Sequence, residues 1–232
     1  MSLPMRTLVI GDIHGCLTAL KCVLAAAEYS NKDTLITVGD MIDKGPSSSQ
    51  VIDFLIDIRK HGKLIPLRGN HEVLLLQAYQ TGKDSLWLRS GGKSTLASFG
   101  YSGKGTWQNT IPDSSMKFIT DDCHDYWEDD NIIVTHANLE AGMIMPDQPP
   151  STLFWSKLEQ EPIPHYTGKL AIHGHTVMPG FQPHAWKSTW AIDTGVFHDT
   201  GWLTCVDVGS RRAWQANNKG QSRLGEWIES NR

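Results

Sequence analysis

Three short apolar runs in the first third of this chain each close on a glycine and then an acid or an amide. Gly11-Asp12-Ile13-His14-Gly15 follows Thr7 to Ile10, Gly39-Asp40-Met41-Ile42-Asp43-Lys44-Gly45 follows Leu35 to Val38, and Gly69-Asn70-His71-Glu72 follows Lys63 to Leu67. Bounded runs of this kind, rich in β-branched residues, read as strands buried on both faces. Leu17, Leu20, Val23, Leu24 and Ala27 recur at helical spacing between the first two runs. Val51, Ile52, Leu55, Ile56 and Ile58 do the same between the second and third, with Ser47 or Ser48 after Pro46 placed to cap that helix and His61-Gly62 to end it. Strand-helix-strand alternation brings the ends of successive strands to one edge, so Asp12, Asp40 and Asn70 are expected to meet there.

Further along, Ile132 to Thr135, Lys169 to Ile172, Thr189 to Ile192, Leu203 to Val208 and Ala213 to Ala216 read as strands in succession. Alternating elements followed by strands predict mixed sheets with helices outside, a two-sheet α/β sandwich. The stretch from Thr81 to Trp127 reads as a mostly helical layer with loops, and the Pro-rich stretch from Met145 to Pro164 as an irregular surface segment. A chain of 232 residues can bury a full core, and a single domain over residues 1–232 is expected.

The net charge of -4, with acids and bases interspersed, offers no broad positive face, so neither nucleic acid nor an anionic membrane is an expected partner. No apolar run is long enough to span a bilayer, and Met1 to Thr7 does not read as a signal peptide. A soluble, cytoplasmic protein is expected. Cys16, Cys22, Cys123 and Cys205 form no C-x-x-C pair and read as reduced thiols.

The chemistry of the blocks is that of metal ligands. Asp12 and His14 can turn toward one ion, and Gly11 and Gly15 ease that curl. Asp40 has two oxygens and can bridge two ions, Asn70 offers a neutral oxygen to the second, and His136 and His175, each just past a strand, complete it. Mixed oxygen and imidazole donors suit Mn, Fe or Zn better than calcium. Such a pair activates water for direct attack on phosphorus, without a covalent phosphoenzyme. His71 is placed to protonate the leaving oxygen, and Asp43 to hold its imidazolium. Arg68 is a candidate for the phosphate, or for bracing the loops through a carboxylate. Glu72, in the first turn of a helix from His71 to Tyr79, reads as structural. His173 rivals His175 as a ligand and reads as its support.

These blocks, with His136-Ala137 and Gly174-His175-Thr176, resemble the motifs of the phosphoprotein phosphatase family of metallophosphoesterases, and its bacterial and phage branch above all. Trp87 with Gly91-Gly92, Trp155, and Ala191-Ile192-Asp193-Thr194-Gly195 extend the likeness from about Arg6 to Val208. The resemblance implies a four-layer αββα sandwich of the calcineurin-like type, two divalent ions, Mn²⁺ foremost, and a phosphoprotein substrate. It implies Asp12, His14 and Asp40 on one metal, Asp40, Asn70, His136 and His175 on the other, and His71 with Asp43 as the acid. Hydrolases that cut diadenosine tetraphosphate symmetrically are related; they more often carry Asp after the motif His and Ala in place of the Asp43 equivalent.

Lys44 stands where the family has an arginine, and Lys157 matches a second arginine that follows Trp. Both family arginines clamp the substrate phosphate, so Lys44 and Lys157 are the expected phosphate ligands here. Lysine keeps the charge but loses the planar fork, which predicts a looser grip. Gly91-Gly92-Lys93-Ser94-Thr95 looks like the tail of a phosphate-binding P-loop, but the first glycine of that motif would fall at Trp87, so it is rejected.

Overall fold

A computed structural model describes residues 5–158 and 161–229. The first four residues, and residues 159–160 of the Pro-rich stretch, lie outside that description. The described strands form two six-stranded sheets. The first contains β1 (Thr7–Ile10), β2 (Thr34–Thr37), β3 (Lys63–Pro66), β9 (Leu203–Asp207), β10 (Ala213–Ala216) and β11 (Ser222–Leu224), in the order β11-β10-β9-β1-β2-β3. The second contains β4 (Tyr126–Glu128), β5 (Ile132–Thr135), β6 (Leu170–His173), β7 (His184–Trp186), β8 (Thr189–Ala191) and β12 (Ile228–Glu229), in the order β12-β7-β8-β6-β5-β4.

Successive residues of these strands point to opposite layers, so both faces of each sheet are apolar. Leu8, Ile10, Leu35 and Cys205 face the helical side, where α1 (Leu17–Ala26) and α2 (Ser48–His61) cover the first sheet. Val9, Ile36, Ile65 and Val206 face inward instead, against Val134, Ile172 and Trp190 of the second sheet. Each such side chain, fully buried, contributes about 1.5–3 kcal/mol of hydrophobic stabilisation. The outer face of the second sheet, through Ile133 and Ala171, packs on Met145, Leu153 and Phe154. The result is the mixed two-sheet sandwich with helices outside.

Parallel pairing sets the register that positions the site. Val9 lies opposite Ile36, and Ile36 opposite Ile65, so β1, β2 and β3 end level with one another. In the second sheet Val134 pairs with Ile172 and Ile172 with Trp190, which aligns the ends of β5, β6 and β8. Pro66 is tolerated because β3 is an edge strand, with no ladder partner needing its N–H.

Two expectations need correction. The Pro-rich segment is irregular only in part: prolines start a helix, Pro150–Trp155, and a preceding 3-10 turn, Met145–Asp147, while residues 156–158 and 161–164 are irregular as expected. Ser47 and Ser48 do not cap α2 with their side chains; the Ser48 hydroxyl instead accepts the Asp43 N–H at 3.0 Å. The short strands β4, β7, β11 and β12 were not legible, since runs of two or three residues show no alternation. No described helix is long and apolar enough to cross a membrane.

Candidate functional site

Asp12, Asp40 and Asn70 leave the ends of β1, β2 and β3, while His136, His175 and Asp193 leave β5, β6 and β8, so two sheet edges converge on one cleft. The loops that deliver them are strained. His14, Asp40, Asp43, Lys44 and His175 all have positive φ, between 46° and 70°, a conformation that costs a non-glycine residue roughly 1–3 kcal/mol. Gly15 carries the curl of the first loop at φ 63°. Gly11 does not, correcting its expected role: a Cβ there would strike the Ile192 carbonyl, so glycine lets the two sheets approach.

Hydrogen bonds to carbonyls fix the ring nitrogens. His14 Nδ1 donates to the Ile42 carbonyl at 3.1 Å and His136 Nδ1 to the Val38 carbonyl at 3.1 Å, while His175 Nε2 donates to the Trp155 carbonyl at 3.2 Å. The opposite nitrogens therefore keep lone pairs. Those lone pairs face other acceptors: His136 Nε2 and His175 Nδ1 lie 2.9 and 3.1 Å from Asn70 Oδ1, and His14 Nε2 lies 3.5 Å from Asp40 Oδ2. Acceptors converge on Asn70 and Asp40, with the Lys44 ammonium 3.0 Å from His14 Nε2, and the nitrogen and oxygen mixture fits a divalent transition ion.

Two such groups converge around Asp40, one with His14 and His71, the other with His136 and His175. Asp12 is brought to the cleft but belongs to neither group: its carboxylate accepts the His175 N–H at 3.1 and 3.2 Å. His173 lies behind the ligand candidates, 2.7 Å from Thr135 Oγ1.

The electrostatics follow from burial and from the crowding of acids. Burial raises Asp12 well above the usual carboxylate range, helped by Asp193 and Asp40, and pushes Asp193 up to about 6. Burial works the same way on Asp40, but His136, His71 and His14 outweigh it and hold Asp40 ionised. Burial lowers His14 well below its ordinary value and His136 to about 4, which keeps both rings neutral as metal ligands must be.

His71 is different. Burial opposes its charge, yet Asp40 and the hydrogen bond it donates to Asp43 leave it raised. Its Nδ1 donates to Asp43 Oδ2 at 2.7 Å, so Nε2, 3.8 Å from Asp40 Oδ2, is the atom free to give a proton to the cleft. Asp43 is fully buried and closely held: Thr95 Oγ1 donates to it at 2.6 Å and Trp87 Nε1 at 3.0 Å. The rejected P-loop lookalike thus has a job: Gly92 leaves room for the Trp87 indole, and Thr95 bonds Asp43. Sequence reasoning noticed Trp87 but missed the brace, since Thr95 lies 52 residues from Asp43.

The phosphate candidates are scattered. Lys44 Nζ lies 3.0 Å from His14 Nε2 and 4.1 Å above the Phe197 ring, inside the cleft. Lys157 is exposed at the rim, its segment tied to the site where Asn138 Nδ2 donates to the Lys157 carbonyl at 3.3 Å. Arg68 takes the second of its two expected roles: its guanidinium bonds Asp125, at 2.6 and 2.8 Å, and the carbonyls of Ile119 and Thr120. It braces the loops and presents no free fork to a phosphate.

Comparison with known proteins agrees with this geometry. The serine/threonine-protein phosphatase 2 of Escherichia coli K12 is 41% identical over 85 residues, 36% of this chain and 37% of that protein. A symmetrical bis(5'-nucleosyl)-tetraphosphatase of Pectobacterium atrosepticum is 38% identical over 76 residues, 32% of this chain and 26% of that one. The alignments thus span about a third of these relatives or less. Among solved structures, a cold-active protein-tyrosine phosphatase of a Shewanella species superposes with a TM-score of 0.67 at 12% identity, covering 97% of this chain and 81% of the other. The model of the calcineurin-like phosphoesterases matches residues 5–179, three quarters of the sequence, and the chain belongs to that family of phosphoester hydrolases.

Proposed function

We propose that this protein is a dinuclear-metal phosphomonoesterase acting on phosphoserine and phosphothreonine in proteins, with Mn²⁺ as its working ion. The observation that carries the reading is the buried Asp43–His71 pair at 2.7 Å, beside Asp40 and Asn70. A phosphomonoester leaves as an alkoxide that needs a proton, and a fixed imidazolium supplies one. The related dinucleotide hydrolases more often have Ala at the Asp43 position and Asp at the Glu72 position, whereas this chain has both acids.

Asp12, His14 and Asp40 would hold one ion, and Asp40, Asn70, His136 and His175 the other. When bound, the ions supply an acidified water and neutralise charge on the phosphoryl oxygens. Asp43 accepts the Nδ1 proton and stabilises the His71 imidazolium, so a second, transferable proton stands at Nε2, facing the cleft. His71 passes that proton to the departing oxygen as its bond to phosphorus breaks. Lys44 and Lys157 offer ammonium charges to the phosphate, as point donors rather than forks.

Phosphate release with Mn²⁺ tests this, comparing phosphoserine, phosphothreonine and phosphotyrosine peptides with diadenosine tetraphosphate, and His71→Asn as control. Fastest turnover of the phosphoserine or phosphothreonine peptide is expected. Preferred cleavage of the dinucleotide overturns the assignment in favour of a dinucleotide hydrolase. No turnover by protein holding both ions leaves only a binding scaffold.

A further inference from the structure

Two of the proposed metal ligands, Asp40 and Asn70, come from separate loops, and a residue outside the ligand set ties those two loops together. Glu72 is fully buried in the first turn of α3 (Asn70–Thr81). Its Oε2 accepts the Asp40 N–H at 2.8 Å, from the loop after β2, and the Gly69 N–H at 2.8 Å, from the loop after β3. Its Oε1 accepts the Met41 N–H at 2.8 Å and the Ile42 N–H at 3.2 Å. Four backbone donors saturate an ionised carboxylate, which has about four acceptor directions.

Two features make this more than a helix cap. A cap satisfies the N–H groups of its own helix, but three of these four donors belong to the other loop. The residue so gripped is Asp40, held at φ 48°, and its Oδ1 accepts the His71 N–H at 3.0 Å. Asn70 and His71 are fixed by the start of α3, and Glu72 on the same turn fixes Asp40 relative to them.

We propose that Glu72 is a positioning residue that sets the separation of Asp40 from Asn70, and with it the spacing at which the chain holds two divalent ions. The inference rests on the metal reading above. Side-chain length and charge are both required. A glutamine would turn an N–H₂ group against two backbone N–H donors, and an aspartate is one methylene too short to reach both loops.

The test is titration of metal-stripped protein with Mn²⁺, followed by calorimetry and by electron paramagnetic resonance. The resonance signal of a spin-coupled pair reports ion spacing, which a purely structural residue would not alter. The parent is expected to take up two ions and show the coupled signal. Glu72→Gln is expected to bind the second ion at least roughly 10-fold more weakly and to lose the coupled signal, in line with losses of 10–100-fold for groups that orient ligands. Glu72→Asp, which keeps the charge if the glutamine variant does not fold, is expected to retain two ions with a changed coupling. Excess Mn²⁺ should restore part of the Glu72→Gln turnover with the Michaelis constant unchanged. Parent affinity and parent coupling in either folded variant overturn the inference alone. A parent that binds no ion pair overturns the metal reading and this inference with it.

Discussion

The corner proposed to handle the proton and the rim proposed to meet the phosphate are built on opposite plans. Asp43 and His71 are buried, 2.7 Å apart, and backed by Thr95, Trp87 and Ser48 from three further segments. Lys157 is exposed, Lys44 rests on an aromatic face and an imidazole, and Arg68 is turned away to Asp125. A proton must be delivered at one atom, which demands a fixed donor, whereas phosphate recognition by ammonium groups tolerates mobile partners. On the proposed reading, one corner is fixed for the proton transfer and the rim is left to set which phosphoester enters.

The sharpest way to break that contrast is to remove the proton donor. His71→Asn is expected to lower kcat by about 10²–10⁴-fold on a phosphoserine peptide, and far less on an aryl phosphate whose leaving group needs no proton. Equal losses on both substrates, in steady-state assays, would take the acid role from His71.

Loosening the brace comes next. Thr95→Val deletes a hydrogen bond to a buried carboxylate and should cost about 1.5–3 kcal/mol in unfolding free energy, with kcat lowered roughly 10-fold. Chemical denaturation and kinetics on the same preparation separate the two effects.

The pH dependence sharpens the same corner. His71 is raised, so its protonated form and its share of stability are full below the ordinary imidazole value of about 6.5 and fade as pH rises through its folded value. The alkaline limb of kcat should therefore lie above that ordinary value, and Asp43→Asn should move it to lower pH. An unmoved limb would show that Asp43 does not hold the proton.

The rim predicts smaller effects. Lys44→Arg restores a forked donor and should lower the Michaelis constant for phosphopeptides roughly 3- to 10-fold, with kcat little changed. No change in the constant or in substrate ranking would leave Lys44 without a phosphate role. Smallest of all, Arg68→Met should leave the Michaelis constant unchanged and cost about 1 kcal/mol of stability at most, because its ion pair with Asp125 is half open to solvent.

Legibility in the sequence divides along the same line. The strands that end in Asp12, Asp40 and Asn70 were readable because their apolar runs are short, β-branched and bounded by glycine, and the helices between them because five apolar positions recur at helical spacing in each. Strand β7 was not, because His184-Ala185-Trp186 has no alternation and is ordered by pairing with β8 and β12. The front of the Pro-rich segment misled because prolines that break structure elsewhere sit here at the start of the helix Pro150–Trp155.

The sequence by itself determined which donor types the chain carries, that they follow strands, and that Asp43 and His71 belong together. Local pattern is enough for that, since each block is contiguous and its neighbours dictate strand, turn or helix. Only the tertiary structure decided the rest: that Asp12 turns to the His175 N–H 163 residues away, that Arg68 serves Asp125, that Thr95 holds Asp43, and that Glu72 clasps two loops. These are contacts between segments remote in the chain, fixed by sheet register and by the need of buried acids and N–H groups to find partners. Neither constraint acts within the span of a motif.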